Sequence, residues 1–169
     1  MPVSLGEMQT PLLKKEVHGA RVFFKMDSMM PTGSFKDRGS VVLINKLKEL
    51  GVREVVEDSS GNAGASIAAY CAAAGIKSHI YVPEGIPAAK LKQIAATGAD
   101  IVKVPGHREN AAKAAQEAAN KIYYASHVYN PLFFEGTKSF AYEVYVQKAI
   151  GRLLSNRRPQ WLCTSLYRR

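Results

Sequence analysis

The sequence predicts an α/β fold, a three-layer open parallel sheet with helices on both faces. Between residues 51 and 148, short apolar runs alternate repeatedly with helical stretches. Those stretches are rich in Ala and Gly, which lets a helix pack close to a sheet, and glycines such as Gly51 and Gly75 close them. Strand–helix alternation of this length implies parallel strands joined by crossover helices.

The elements follow in order. "ARVFFKMD" (Ala20–Asp27) reads as a strand through Val22, Phe23 and Phe24. After the turn Pro31-Thr32-Gly33, "DRGSVVLINKLKEL" reads as a helix whose face carries Val42, Leu43, Leu47 and Leu50, broken only by Lys46. Gly51 is its C-cap candidate. "VREVVED" is a short strand that runs into Ser59-Ser60-Gly61-Asn62, and "AGASIAAYCAAAG" is a small-residue helix. "KSHIYVPEG", "ADIVKVPG" and "IYYASHV" supply three more strands. Between them lie helices in "AAKLKQIAATG" and "RENAAKAAQEAANK", and a last helix runs from Phe134 to Lys148.

Composition narrows the class. Hydrophobic residues at 47% and charged residues at 22% of 169 residues describe a chain with a core and exclude a disordered one. No apolar run has the length of a bilayer span, and "MPVSLGEMQTPLL" lacks a signal-peptide pattern, so a cytoplasmic protein is expected. Cys71 and Cys163 are isolated, with no metal or CxxC spacing, and read as buried free thiols. Five of the nine net positive charges are arginines in residues 151–169, which contain no acid. Such a tail could touch nucleic acid, but no nucleic-acid motif accompanies it, and nucleic acid is not expected as a partner. The upstream excess suits an anionic ligand equally well.

Two stretches could carry chemistry. "SSGNAG" (Ser59–Gly64) lies where a parallel strand feeds a helix N-terminus, the place where open sheets bind anions. Its glycines allow close backbone approach and its Ser and Asn side chains are short polar arms; a plain turn with a Ser or Asn helix cap remains open. In "SMMPTGSFKDRGS", Lys36 follows a tight turn. A lysine whose amine is freed by burial can form a Schiff base, whereas a solvated cation beside Asp37 and Arg38 is the ordinary alternative. "GTKS" (Gly136–Ser139) lacks P-loop spacing, Ser59 and Ser60 lie in no GxSxG elbow, and His18, His79, His107 and His127 are scattered. Surface or structural histidines and no metal site are expected.

Together, "SLGEMQTPLL", "PTGSFKDRG", "EDSSGNAGASIAAY" and "YNPLFFEGTKSFAYE" resemble, in order and spacing, the fold-type II pyridoxal-phosphate (PLP) enzymes, the tryptophan synthase β-like superfamily. The chain is most similar there to the threonine synthases, over about residues 3–148. The resemblance implies PLP as cofactor, Lys36 as the Schiff-base lysine and Cα base, and Phe35 and Asn62 beside the cofactor. It implies a substrate carboxylate held by Ser59, Ser60, Gly61, Asn62 and Ala63. The implied reaction is elimination and water addition on an O-phosphohomoserine-type amino acid, in relatives that form homodimers. Phe133 stands where threonine synthases often carry an arginine for the substrate phosphate. A serine/threonine dehydratase, a cysteine synthase-like β-replacement enzyme and a catalytically silent amino-acid-binding remnant therefore stay open as alternatives.

The expected organisation is residues 1–50 as the N-terminal part of a large PLP domain, 51–148 as a smaller α/β domain, and 149–169 as a divergent basic tail. "RPQWLCTSLYRR" begins where the large domain's next strand is expected but carries no glycine loop. A large domain whose C-terminal part is largely missing is the resulting expectation.

Overall fold

The computed structural model describes residues 1–152 and 160–163, and contains two sheets. The first begins with an antiparallel hairpin, β1 (Leu12–Val17) and β2 (Ala20–Lys25), running from Leu12 opposite Lys25 to Val17 opposite Ala20. Its two-residue turn, His18 and Gly19, has φ of +47° and +74°. Positive φ at both central positions matches the right-handed twist of the flanking strands. Sequence patterning misses β1 because Lys14, Lys15 and Glu16 leave no apolar alternation, and nearly the whole strand is exposed.

The second sheet is built by β3 (Glu54–Glu57), β4 (Lys77–Pro83), β5 (Asp100–Val104) and β6 (Tyr123–Tyr124), all parallel, in the spatial order β5-β4-β3-β6. The chain steps outward from β3 to β5, then returns to the far side of β3. That reversal makes the gap between β3 and β6 the switch point of the sheet. Right-handed crossovers put α2 (Asn62–Ala74) and α3 (Ala88–Ala95) on one face and α4 (Arg108–Ala118) on the other. Ala65 and Ala68 of α2 pack with Ile80 and Val82 of β4 and Leu91 and Ile94 of α3. Gly64 has to be small: a Cβ there would lie 1.8 Å from the Ser59 carbonyl oxygen.

Helix α1 (Lys36–Glu49) joins this layer, with Leu43, Ile44 and Leu47 buried against Val55, Ile67 and Tyr70. The expected face was rotated slightly off, since Val42 and Leu50 are 37% and 62% exposed and Ile44 takes their place. The expected final helix is two. Helix α5 (Pro131–Thr137) starts three residues before Phe134, where the Asn130 side chain accepts from Leu132 N at 3.0 Å and Pro131 fills the first turn. Helix α6 (Ser139–Arg152) follows it. Helices α1 and α5 cross closely, because a Cβ on Gly136 would sit 2.0 Å from the Arg38 carbonyl oxygen.

The first sheet is completed from the far end of the chain by β7 (Gln160–Cys163), parallel to β2 with Val22 opposite Gln160 and Lys25 opposite Cys163. This is the strand expected in "RPQWLCTSLYRR"; of the basic tail, residues 149–152 end α6, while residues 153–159 and 164–169 and the Cys163 side chain lie outside the described residues. Below β2 a buried ion network ties the chain together. Lys25 Nζ donates to Glu143 Oε2 and to the Thr10 carbonyl, each at 2.5 Å. Arg38 grips Asp27 with two bonds of 2.8 and 2.9 Å and reaches Glu143 Oε1 at 2.6 Å. Cys71 is a buried free thiol pushed up to about 12, by burial first and then by the charge of Glu57.

Candidate active site

The site forms where α1, α2 and the switch point meet. Lys36 opens α1, held in place by its neighbours. Asp37 accepts from Thr32 N at 2.7 Å, from Thr32 Oγ1 at 2.5 Å and from Ser66 Oγ of α2 at 2.6 Å. Its buried carboxyl is pushed up by desolvation, partly offset by those Ser66 and Thr32 bonds. Arg38 faces the ion network, and burial alone would lower it, but Asp27 and Glu143 more than compensate and raise it. Both charges that flank Lys36 are thus buried and engaged.

Lys36 differs. It is half-buried, and its Nζ has no hydrogen bond or ion pair among the described residues. The amine lies 4.7 Å from the Phe35 ring centroid and 5.7 Å from that of Phe133. Burial lowers its proton affinity, against a smaller opposing pull from Glu57. A lysine amine is a nucleophile only in its neutral form, which burial favours.

The second half is the β3–α2 loop. Ser59 and Ser60 are half-buried, Gly61 and Asn62 are exposed, and Ala63 is buried, so Ala63 can offer a ligand only its backbone. Gly61 is the N-cap of α2 and no side chain caps the helix. The Ser-or-Asn cap is thus not formed; Ser59 Oγ instead accepts from Gly61 N at 3.3 Å, within the loop. An uncapped helix start with exposed polar neighbours suits a carboxylate. The Asp37–Ser66 bond and a 2.7 Å bond between Ser66 and Ser40 hold the start of α1 against this helix.

Sequence reasoning missed the floor. Glu57, fully buried at the end of β3, lies 2.5 Å through Oε1 from Nδ1 of His127, a histidine expected to be only superficial or structural. Glu57, Asp58 and His127 bring donor atoms within 4.8 Å of one another. The His127 ring meets Phe133 edge-on at 6.3 Å between centroids, and Phe133 is almost fully buried. Phe133 also fills the notch of Gly39, where a Cβ would lie 2.5 Å from its ring. The acidic pair preceding "SSGNAG" was visible in the sequence; no local signal links it to His127.

At its switch point the parallel sheet brings together an uncapped helix start and a half-buried lysine. Residues 3–163 match the family described as pyridoxal-phosphate dependent enzyme. Threonine synthase of Bacillus sp. (strain ULM1) is 40% identical over 84% of this chain and 42% of its own length. Threonine synthase of Methanocaldococcus jannaschii is 39% identical over 84% of this chain and 37% of its own. The crystal structure of serine racemase from Dictyostelium discoideum matches with a TM-score of 0.73 at 27% identity, covering 83% of this chain and 48% of that one. The chain belongs to the pyridoxal-phosphate-dependent enzyme family, and it spans about two fifths of the length of the curated relatives it matches.

Proposed function

We propose that this chain carries the Schiff-base and substrate-carboxylate part of a threonine synthase-like PLP-dependent lyase. The unpaired Lys36 amine at the start of α1 carries the reading. The residues fit the group: Lys36 would hold the cofactor's aldehyde carbon, Phe35 would pack beside its ring, and Asn62 would reach its ring hydroxyl. Bound PLP supplies an electron sink for the charge that develops at the substrate Cα. The backbone at Ser60–Ala63 binds the substrate carboxylate, with Ser59 shaping the loop. Lys36 takes the Cα proton as free base and can return it.

Support for a β-hydroxy or β-substituted amino acid instead of a phosphate ester comes from Phe133. Its buried ring stands beside Lys36, and a ring cannot pair with a phosphate as a guanidinium does. Dehydratase or β-replacement chemistry is the second reading. Part of the same proposal is the division of the chain: residues 1–50 and 149–169 as pieces of one domain, 51–148 as another. It is supported by β7 pairing with β2 while residues 54–124 form the second sheet. Self-association into a homodimer and a cytoplasmic location belong to it too; among the described residues no helix is long and apolar enough to cross a membrane.

Titration of the chain with PLP tests it. A near-visible absorbance band that forms with the native sequence and is lost in Lys36→Ala is expected. A band that survives in Lys36→Ala would move the Schiff base to another lysine and end the assignment.

A further inference from the structure

Strands β3 and β6 run parallel with Val56 opposite Tyr124, and Ala125 N carries the ladder on to the Val56 carbonyl at 2.9 Å. The residues leaving their carboxyl ends therefore meet in the crevice of the switch point, where open sheets take ligands. Glu57 ends β3 and Asp58 follows it. His127 comes from the loop after β6, which Ser126 Oγ shapes by accepting from Val128 N and Tyr129 N at 3.2 Å each.

Glu57 is the unexplained group. It is 0% exposed, and its Oε1 lies 2.5 Å from His127 Nδ1. Its Oε2 is the one fully buried side-chain nitrogen or oxygen without a hydrogen-bond partner among the described residues. Buried carboxylates are normally paired or bound to a metal, because an unanswered charge away from water is costly. The half-buried Asp58 adds a second acid, and donor atoms of all three residues lie within 4.8 Å of one another. One proton on His127 would leave these two carboxylates in excess and Glu57 Oε2 still without a partner. A cation satisfies both needs.

We propose that Glu57, Asp58 and His127 bind one divalent transition-metal cation of the Zn²⁺ type beneath the β3–α2 loop. An imidazole nitrogen with two carboxylate oxygens is a zinc-like donor set, whereas Mg²⁺ and Ca²⁺ prefer oxygen alone. Two carboxylates and a neutral imidazole also balance the ion's double charge. Donor atoms around a tetrahedral zinc lie about 3.3 Å apart, so side-chain rotation has to open the Glu57–His127 contact and draw Asp58 in. The proton held between Oε1 and Nδ1 leaves to solvent as both atoms turn to the ion. Tyr124 Oη donates to Asp58 Oδ1 at 2.8 Å, the kind of outer contact that orients a ligating carboxylate. Since the His127 ring also meets Phe133, the ion would tie the start of "SSGNAG" to the aromatic wall beside Lys36. The site goes beyond the PLP reading and does not depend on it.

Equilibrium dialysis of the 169-residue chain, freed of metal by a chelator, against Zn²⁺ tests the site without PLP. One ion per chain is expected. Glu57→Gln and His127→Gln keep the side-chain volume and are each expected to weaken binding by about tenfold or more, and Tyr124→Phe by about tenfold. His79, 2.9 Å from Asp100 and 3.4 Å from Glu54, is the competing surface site, and His79→Ala is expected to leave the ion in place. The native chain gives a second readout should the glutamine variants not fold. Zn²⁺ is expected to slow modification of His127 by diethyl pyrocarbonate, read peptide by peptide by mass spectrometry, and to leave His18 and His107 unaffected. Four results would overturn the proposal: no bound Zn²⁺, binding unchanged in both glutamine variants, binding lost in His79→Ala, or equal His127 modification with and without Zn²⁺. PLP binding by Lys36 is read separately by absorbance, so failure of one result leaves the other standing.

Discussion

Two lysines, one at the end of β2 and one at the start of α1, show how this fold sets the fate of a buried charge. Lys25 at the end of β2 is 1% exposed and is held by Glu143, Gln147 and the Thr10 carbonyl. Lys36 at the start of α1 is half-buried and faces two aromatic rings and no acceptor. Desolvation acts on both, yet only the first is matched by a carboxylate in contact. The difference teaches that acids are denied to Lys36 by being used elsewhere. Asp37 is turned to Thr32 and Ser66, Asp27 and Glu143 to Arg38, and Glu57 to His127.

The most damaging way to break that comparison is inside the ion network. Asp27→Ala removes a fully buried carboxylate and leaves the Arg38 guanidinium half-paired, so a loss of about 3–5 kcal/mol is expected in urea unfolding. A loss below ~1 kcal/mol would mean water reaches Arg38. Next comes the wall beside Lys36. Gly39→Ala sets a methyl 2.5 Å from the Phe133 ring, which has no exposed space to swing into. Overpacking costs about 1–3 kcal/mol and is expected to be relieved by Phe133→Leu in the same chain, measured by thermal unfolding.

The two regions should also differ in the sign of their pH dependence. Burial alone would raise Glu143, but hydrogen bonds from Arg38 and Lys25 hold it below its ordinary 4.5. Its contribution to stability is therefore present above that value and lost as pH falls through the lowered one. Glu57 is raised by burial, so its contribution is present below 4.5 and is lost as pH rises through the elevated value. Glu143→Gln should flatten the acid limb of the stability profile and Glu57→Gln the opposite limb; an unchanged acid limb in Glu143→Gln would locate the acid sensitivity outside the network.

The smallest effect belongs to Lys36. With ring contacts but no hydrogen bond or ion pair to lose, Lys36→Met should change stability by no more than about 0.5 kcal/mol in urea unfolding, beside the large cost of Asp27→Ala. A loss above 2 kcal/mol would reveal a structural contact for the amine.

Much of this was legible in the residues alone. Alternating apolar runs located β3 to β6 and the helices between them, since period and length report which side of an element is buried. "PTGSFKDRG" and "SSGNAG" mark the two halves of the candidate site, because turn and helix-start chemistry is local. Residues without a local pattern escaped: Lys14, Lys15 and Glu16 hid β1, and Ile44 was passed over for Val42. What only the tertiary structure decided is the pairing of charges. Glu57 and His127 are 70 residues apart, and Lys25 and Glu143 are 118. A sequence states that a carboxylate is present; which cation it neutralises, and so which amine remains free, depends on the partners that folding brings within a few ångströms.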